Sequence, residues 1–391
     1  MQVIDIDQKS SERRIYYLDW LRIYATLLLF IFHTARCFDV WEINYIENSE
    51  LSSWITLIFV WVIDIFHMPL FFFIAGASSK LALQRISYVK YSKNRFNRLF
   101  IPFIFGLLII VPPQPFLAAK YFTGYSGTIF DFYLTYFQTG FQDITGYRGT
   151  FTPAHLWFII ILFALSIISI PFFKMLNSPR GVKLIEKYFH NLNFIRIFII
   201  PTIIIAISLI SPRIVGKNIV YYFVIFLLGF LIIGNSQVEE FILQKRKIWL
   251  IISIIGLIFV TVYYAVRFYS DVNFGNFHIL FSILDESITM WAIILVSLGY
   301  SNKYLNKSNK IHEYFTRASY PLYILHQTVI IVVAYFVVQW SVIYWVKFIL
   351  IILLAFGGSM IIYELIRRIK VLNWAFGMKN VILKRKKKEE D

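Results

Sequence analysis

One apolar segment near the start of the chain carries two side chains that could do chemistry, Arg22 and His33. Each residue of a helix turns the chain by about 100° and advances it about 1.5 Å, so both side chains share one face, about 16 Å apart along the axis. A neutral imidazole can take the proton of an attacking hydroxyl, and a planar guanidinium suits a phosphate. The pair therefore predicts a general base deep in this helix and an anion-binding group near its start.

Other ionisable side chains also interrupt the apolar segments, and each is costly in a membrane unless it is paired or lines a water-filled cavity. They are Asp19, Asp64, His67, Asp285, Glu286, His326 and Glu364. Asp19 precedes Arg22 by three residues, which favours a local salt bridge, either as a simple anchor or as a way of placing the arginine. Asp64 and His67 repeat this spacing, so the carboxylate either fixes the imidazole tautomer or only helps to hold two helices together.

Four histidines, His33, His67, His155 and His326, come from four different apolar segments. A lone histidine on an apolar helix is commonly structural, but four from separate helices can converge on one cavity. Metal binding would be a competing use of such a cluster. The segments contain no His-x-x-x-His or Glu-x-x-His pair, so we expect no bound metal.

The elements that position these residues are predicted by the composition. The chain is 59% apolar and 19% aromatic, with a mean hydropathy of +0.67, as in proteins whose solvent is largely lipid. We predict an all-α polytopic membrane protein, a bundle of about ten transmembrane helices. The ten segments are 18–37, 54–79, 99–118, 155–176, 194–211, 218–234, 248–267, 279–300, 318–340 and 345–366.

The placement of lysine and arginine predicts the orientation of this bundle. These residues concentrate in every second connection, so the positive-inside rule places both termini in the cytoplasm of a multi-pass protein of the cell (plasma or inner) membrane. Positive charge beside the spans also accounts for the net charge of +16, so we expect no nucleic-acid partner. We predict one membrane domain over 1–370 and a basic cytoplasmic tail over 371–391.

Five motifs give the chain a resemblance to a known family over nearly its whole length. They are Tyr17-Leu-Asp-Trp-Leu-Arg22 with His33 following, His67-Met-Pro-Leu-Phe-Phe-Phe-Ile-Ala-Gly76, Arg95-Phe-Asn-Arg-Leu-Phe-Ile-Pro102, His155-Leu-Trp-Phe158 and Ser319-Tyr-Pro-Leu-Tyr-Ile-Leu-His-Gln327. In this order they resemble acyltransferase family 3, whose membrane enzymes acylate extracytoplasmic carbohydrate, and within it the glucan biosynthesis protein C branch.

The resemblance implies an acyl-CoA-dependent O-acyltransferase. It would move an acetyl or succinyl group from cytoplasmic acyl-CoA to a hydroxyl of an extracytoplasmic glycan, with acyl-CoA as co-substrate and no permanently bound cofactor. Arg22 and His33 match the family's arginine and its catalytic histidine. Arg95 and Arg98 would grip the CoA phosphates or simply be positive-inside charge, and Tyr320 and His326 would orient other groups or hold a second proton.

A proton-coupled secondary transporter is the main alternative, because buried carboxylates and histidines in ten spans also describe proton relays. Related halves with matching broken helices would favour it, and the sequence shows no such pair. A non-catalytic scaffold is a third reading. The sequence leaves open the acceptor glycan, acetyl versus succinyl, an acyl-enzyme intermediate and the oligomeric state.

Overall fold

The computed structural model describes residues 15–39, 44–48, 54–139, 146–147, 149–214, 216–269 and 277–378, and these residues form helices joined by turns, with no β-strand among them. The α-helices are α1 Tyr16–Arg36, α2 Trp54–Leu83, α3 Tyr88–Arg95, α4 Ile101–Phe105, α5 Pro113–Thr123, α6 Ile129–Tyr136, α7 Trp157–Ile168, α8 Ile170–Leu176, α9 Pro179–His190, α10 Ile200–Leu209, α11 Ile219–Ile232, α12 Ser236–Gln244, α13 Arg246–Tyr269, α14 Phe277–Tyr304, α15 Lys310–Val337, α16 Tyr344–Ile366 and α17 Lys370–Ala375. Phe96–Phe100, Gly106–Ile110 and Ile195–Ile199 are π-helical turns that continue these helices, and Ala154–Leu156 is a 3₁₀ turn before α7.

Seven helical stretches of the described chain are long and apolar enough to cross a membrane, and nine are if two bent pairs each count as one span. The bent pairs are Ala154–Ile168 with Ile170–Leu176, at 48°, and Ile219–Ile232 with Ser236–Gln244, at 104°. Ile195–Leu209 is a shorter apolar helix. Every segment predicted from hydropathy coincides with one of these helices, as expected of a polytopic membrane protein. The number ten and the orientation of the termini stay predictions.

The first helix lies inside the bundle. α1 packs against α2, α14, α15 and α16, and residues on several of its faces are buried, among them Tyr17, Leu18, Trp20 and Ile23. Because neighbouring helices surround it, polar side chains of α1 meet protein groups on most sides. This position explains how one helix can carry both an arginine and a histidine.

Two glycines allow α2 and α11 to cross with their backbones almost in contact. A Cβ on Gly76 would lie 1.8 Å from the carbonyl oxygen of Phe226, and one on Gly229 would lie 2.1 Å from that of Phe73. Small residues at such crossings let helices in a membrane gain dispersion contacts that larger side chains would prevent. The crossing fixes the position of α2, which carries Asp64 and His67.

The C-terminal part of the described chain is folded against the bundle. α17 contacts α16 and α4, and Gly377, in the left-handed region at φ +61°, lies against Pro102 and the backbone of Arg98. Within the tail predicted over 371–391, residues 371–378 pack against the bundle, with Asn373, Ala375 and Phe376 buried, and the boundary of the tail stays a prediction. Residues 379–391 lie outside the described ranges.

Candidate functional site

The histidine cluster forms where α1, α2, α15 and the turn before α7 meet. The ring centroids of His33 and His326 are 5.0 Å apart, and those of His326 and His155 are 4.9 Å apart. His67 reaches the same region from α2, with its ring 6.2 Å from that of Phe32, the neighbour of His33. The four histidines therefore come together as the sequence predicts, but none of them lines the large cavity of the bundle.

Hydrogen bonds to backbone carbonyls of other helices hold the rings of His67 and His155. His67 Nε2 lies 2.8 Å from the Ala25 carbonyl, to which it donates, and His155 Nε2 lies 2.9 Å from the Ile324 carbonyl. The remaining nitrogen of His155, Nδ1, is 3.4 Å from the side-chain amide of Gln114, which can donate to it. Each ring therefore has one proton committed to a backbone carbonyl, which fixes its tautomer.

The predicted role of Asp64 as the partner of His67 is corrected by this arrangement. The partner of His67 is the backbone of α1, and Asp64 is exposed one turn away on α2. Helical spacing brings side chains three residues apart near each other, but here burial points His67 towards α1. The carbonyl of Ala25 replaces the carboxylate as the group that fixes the ring.

His33 and His326, the two imidazoles in ring contact with each other, each keep a nitrogen available. His326 Nδ1 lies 2.6 Å from the Tyr323 carbonyl, whereas its Nε2 is buried and has no hydrogen-bond partner among the described residues. His33 is half-buried and makes no side-chain hydrogen bond within the described part of the chain. A ring whose Nδ1 donates to a carbonyl presents an unprotonated Nε2, which is the form that accepts a proton. His33 and His326 are thus the two candidate bases.

The side chain of Arg22 extends from α1 towards α2 and forms the salt bridge with Asp19 that their three-residue spacing predicts. Its Nη1 is 3.4 Å from Asp19 Oδ1, and its Nη2 donates to Ser78 Oγ at 3.1 Å. The second oxygen of Asp19 lies 3.9 Å from Nε2 of His312, a fully buried histidine. His312 was not among the sequence candidates, because α15 starts at Lys310, eight residues before the apolar segment predicted from 318.

A cavity of about 1150 Å³, which we call the arginine cavity, opens between α1, α2, α3, α15 and the C-terminal segment. The arginines that line it are Arg22, Arg95, Arg98, Arg317, Arg367 and Arg368. We call the end of the bundle that holds it the basic end. Sequence reasoning named the first three and treated the others as ordinary charge beside the spans, because only the fold brings their helix ends together.

Half of these arginines are not neutralised by the protein. Arg22 pairs with Asp19, and both Arg367 and Arg368 pair with Glu364. Within the described ranges, Arg95, Arg98 and Arg317 have no carboxylate within 4.0 Å, although Arg95 donates to Ser79 Oγ at 2.8 Å. Tyr320 also lines the cavity, and its buried hydroxyl lacks a hydrogen-bond partner there. Three uncompensated guanidiniums give the cavity the charge and the hydrogen-bond donors that suit an anion.

A layer of aromatic rings separates the arginine cavity from the histidines. Phe71, Phe158 and Tyr323, which we call the ring layer, line the inner end of the cavity, and their ring centroids are 5.5–6.1 Å apart. On the other side, Phe71 contacts the His67 ring at 5.2 Å and Tyr323 contacts the His326 ring at 5.6 Å. The Tyr323 hydroxyl donates to the His155 carbonyl and so ties the layer to the cluster.

The described residues contain no group of three or more histidine, cysteine, aspartate or glutamate side chains that could hold a metal ion. The imidazoles of the cluster point their bonded nitrogens at backbone carbonyls, which is a geometry for proton transfer and positioning. A base near an anion-binding cavity can serve transfer of a group from an anionic donor to a hydroxyl.

Comparison with known proteins also indicates group transfer. The family model described as an acyltransferase domain matches residues 15–364. Glucans biosynthesis protein C of Escherichia coli O1:K1 is 25% identical over 396 residues that cover 97% of each chain, and the protein of that name from Escherichia coli strain K12 is 24% identical with the same coverage. No solved structure matches the chain.

Proposed function

The chain belongs to acyltransferase family 3, and from this premise we propose that it transfers an acetyl or succinyl group from acyl-CoA to a glycan hydroxyl across the membrane. The observation that carries the proposal is the position of His33 and His326, in ring contact just beyond the inner end of the arginine cavity. The arginines of the cavity suit a polyanionic donor, and the proposed base lies on the far side of the ring layer.

The donor would enter from the basic end, which we assign to the cytoplasm because lysine and arginine concentrate there. Arg95, Arg98 and Arg317 offer uncompensated charge for the phosphates of CoA, and Arg22 lies deeper, held by Asp19 and Ser78. The thioester arm would point inwards, towards Thr26 and Tyr323. For the thioester to meet His33, rings of the ring layer must rotate aside.

In the chemical step of this proposal, His33 is the general base. Its imidazole takes the proton of the acceptor hydroxyl while the oxygen attacks the thioester carbonyl, a form of catalysis that contributes about 10²- to 10⁴-fold in rate. The carbon–sulfur bond then breaks, and the imidazolium returns the proton to the departing thiolate. His326, with its free Nε2, supplies a second proton site beside the first.

A glucan is the first acceptor to test, since the curated relatives carry the name glucans biosynthesis protein C. Purified protein in liposomes would receive radiolabelled acetyl-CoA or succinyl-CoA together with a glucan preparation. The wild type is compared with His33→Ala and with the matched control His190→Ala, which removes an exposed histidine of α9. We expect label in the glucan with the wild type and the control and a loss of at least a hundredfold with His33→Ala.

Equal labelling by His33→Ala would remove this histidine as the base. If neither donor labels any glycan, the acyltransferase proposal fails for this chain, and a proton-coupled transporter becomes the reading to test by substrate-driven proton flux.

A further inference from the structure

A second group of charges lies on the other side of the histidines, where α2, α10, α11 and α14 pack together. Asp64 on α2 is exposed, although it follows the start of that helix by ten residues, or about 15 Å along the axis. Glu286 on α14 is half-buried at a similar depth from the start of its own helix. A carboxylate this far along an apolar span is stable when it is paired or faces a hydrated recess, and the exposure of Asp64 favours a recess that water reaches.

The charges in this recess are mixed. The charged groups that act on Glu286 are Arg213, Asp64 and Asp285, and Arg213 is exposed in the connection between α10 and α11. The same connection turns back on itself through paired hydrogen bonds between Ile214 and Lys217. A turn that carries two cations therefore lies beside two carboxylates, which gives the recess polar groups of both signs.

Aromatic rings form one wall of the recess. Lys217 Nζ lies 4.4 Å from the ring centroid of Trp157, which is half-buried at the start of α7. The Trp157 ring is 5.6 Å from that of Tyr222, and Tyr222 stacks on Phe72 at 4.5 Å. Flat aromatic rings can pack against the apolar faces of a sugar. Carboxylates beside them can accept hydrogen bonds from its hydroxyls.

A buried hydroxyl in the recess is left without a partner. Tyr221 is 4% exposed, Glu286 is the first charge acting on it, and its phenolic oxygen forms no hydrogen bond with any described residue. Buried polar atoms are normally satisfied, so an unsatisfied one beside the recess indicates a group that water or a bound ligand completes.

Two residues of the recess are close in sequence to histidines of the cluster. Asp64 is one helical turn from His67, and Trp157 is two residues from His155. We infer that Asp64, Glu286, Arg213, Lys217, Trp157 and Tyr221 form a carbohydrate-binding recess, which holds a glucose oligosaccharide with one hydroxyl directed at the histidines. The inference rests on the proposed function, since it names where the acceptor of that reaction binds.

Binding without the donor separates this inference from the reaction itself. Maltoheptaose and laminariheptaose, an α-linked and a β-linked glucose oligosaccharide, would be added to the purified protein with no acyl-CoA, and binding followed by saturation-transfer NMR. The variants are Glu286→Gln and Trp157→Phe. The matched control is Glu240→Gln, because this exposed carboxylate of α12 lies outside the recess and accepts a hydrogen bond from Gln244 on its own helix. Unchanged thermal unfolding establishes that each variant is folded.

We expect the wild type and Glu240→Gln to bind one oligosaccharide, and Glu286→Gln and Trp157→Phe to bind it about tenfold more weakly. In transfer assays the same two variants should raise the KM for the glucan and leave the KM for acyl-CoA unchanged. Lack of binding by the wild type, or equal binding by Glu286→Gln and Trp157→Phe, would overturn the recess even where transfer is observed. Binding that depends on Glu286, with no label transferred, would support the recess and count against the acyltransferase.

Discussion

The imidazole rings of His33 and His326 lie 5.0 Å apart across the contact between α1 and α15. The two rings differ in their surroundings, since His326 is fully buried and hydrogen-bonded to its own helix, whereas His33 is half-buried and has no such bond among the described residues. The less constrained ring can follow a substrate, and the fixed ring can hold or accept a proton at a constant position. This asymmetry is why we assign the base role to His33.

Replacing His326 by glutamine should slow the chemical step and leave donor binding intact. Glutamine can occupy much of the space of the ring but provides no titratable nitrogen, so we expect kcat to fall about 10- to 100-fold, less than for His33→Ala, with an unchanged KM for acyl-CoA. Steady-state kinetics with His190→Gln as the control would measure this. A kcat equal to that of the wild type would show that His326 only packs against its partner.

Replacing Arg95, Arg98 or Arg317 by alanine should weaken binding of the donor. Losing one charged hydrogen bond costs about 1.5–3 kcal/mol, so we expect the KM for acyl-CoA to rise about 10- to 100-fold for each variant. Arg180→Ala is the control, because this exposed arginine of α9 lies outside the cavity lining. If the three variants and the control share one KM, the phosphates bind elsewhere.

Loosening the ring layer should let water reach the thioester. Phe158→Ala removes one of three rings, and Tyr323→Phe removes the hydrogen bond to the His155 carbonyl. We expect both to raise hydrolysis of acyl-CoA in the absence of a glycan severalfold, measured as release of free thiol. Phe172→Ala, an exposed ring of α8, is the control and should keep the rate of the wild type. If Phe158→Ala hydrolyses acyl-CoA no faster than the wild type, groups other than the ring layer exclude water from the thioester.

Gly76→Ala should destabilise the bundle. The added Cβ would meet the Phe226 carbonyl at 1.8 Å, so the two helices must separate, and overpacking of this kind costs about 1–3 kcal/mol. Gly357→Ala is the matched control, since a Cβ there meets nothing within 4 Å. Thermal unfolding in detergent should show a lower midpoint for the first variant than for the second, and equal midpoints would contradict the tight crossing.

The proposed orientation can be tested by labelling single cysteines in intact cells. Lys183→Cys in α9 lies at the basic end, and Ser126→Cys lies between α5 and α6 at the opposite end, both at exposed positions. The native Cys37 is buried and should stay unreactive. We expect a membrane-impermeant maleimide to label Ser126→Cys before lysis and Lys183→Cys after lysis. The reverse pattern would place the arginine cavity outside.

Hydropathy predicted the helices well because long apolar runs have few alternatives in a membrane. The separation of Arg22 and His33 along one helix also followed from sequence, since it depends on local geometry alone. His312 was missed because the polar first turns of α15 have no apolar signal. The resemblance supplied the acyl transfer itself, which no spacing of residues could have indicated.

Contacts between distant segments could not be predicted in the same way. Arg317 and Arg367 look like ordinary charge at the ends of helices, and only packing of α15 beside α16 turns them towards a shared cavity. The exchange of Asp64 for the Ala25 carbonyl as the partner of His67 depends on how α1 and α2 face each other. The interaction of Glu286 with Asp64 depends in turn on how α14 packs beside α2.

The ring layer also determines where the membrane voltage is felt. In the proposed arrangement water reaches the arginine cavity on one side and the carbohydrate-binding recess on the other, so that most of the potential would fall across the three rings between them. Moving one charge through a full 100 mV is worth about 2.3 kcal/mol. With the basic end in the cytoplasm, an inside-negative potential would help to push the carboxylate of a succinyl group outwards. An uncharged acetyl group would gain nothing, so the two donors would respond differently to membrane energisation.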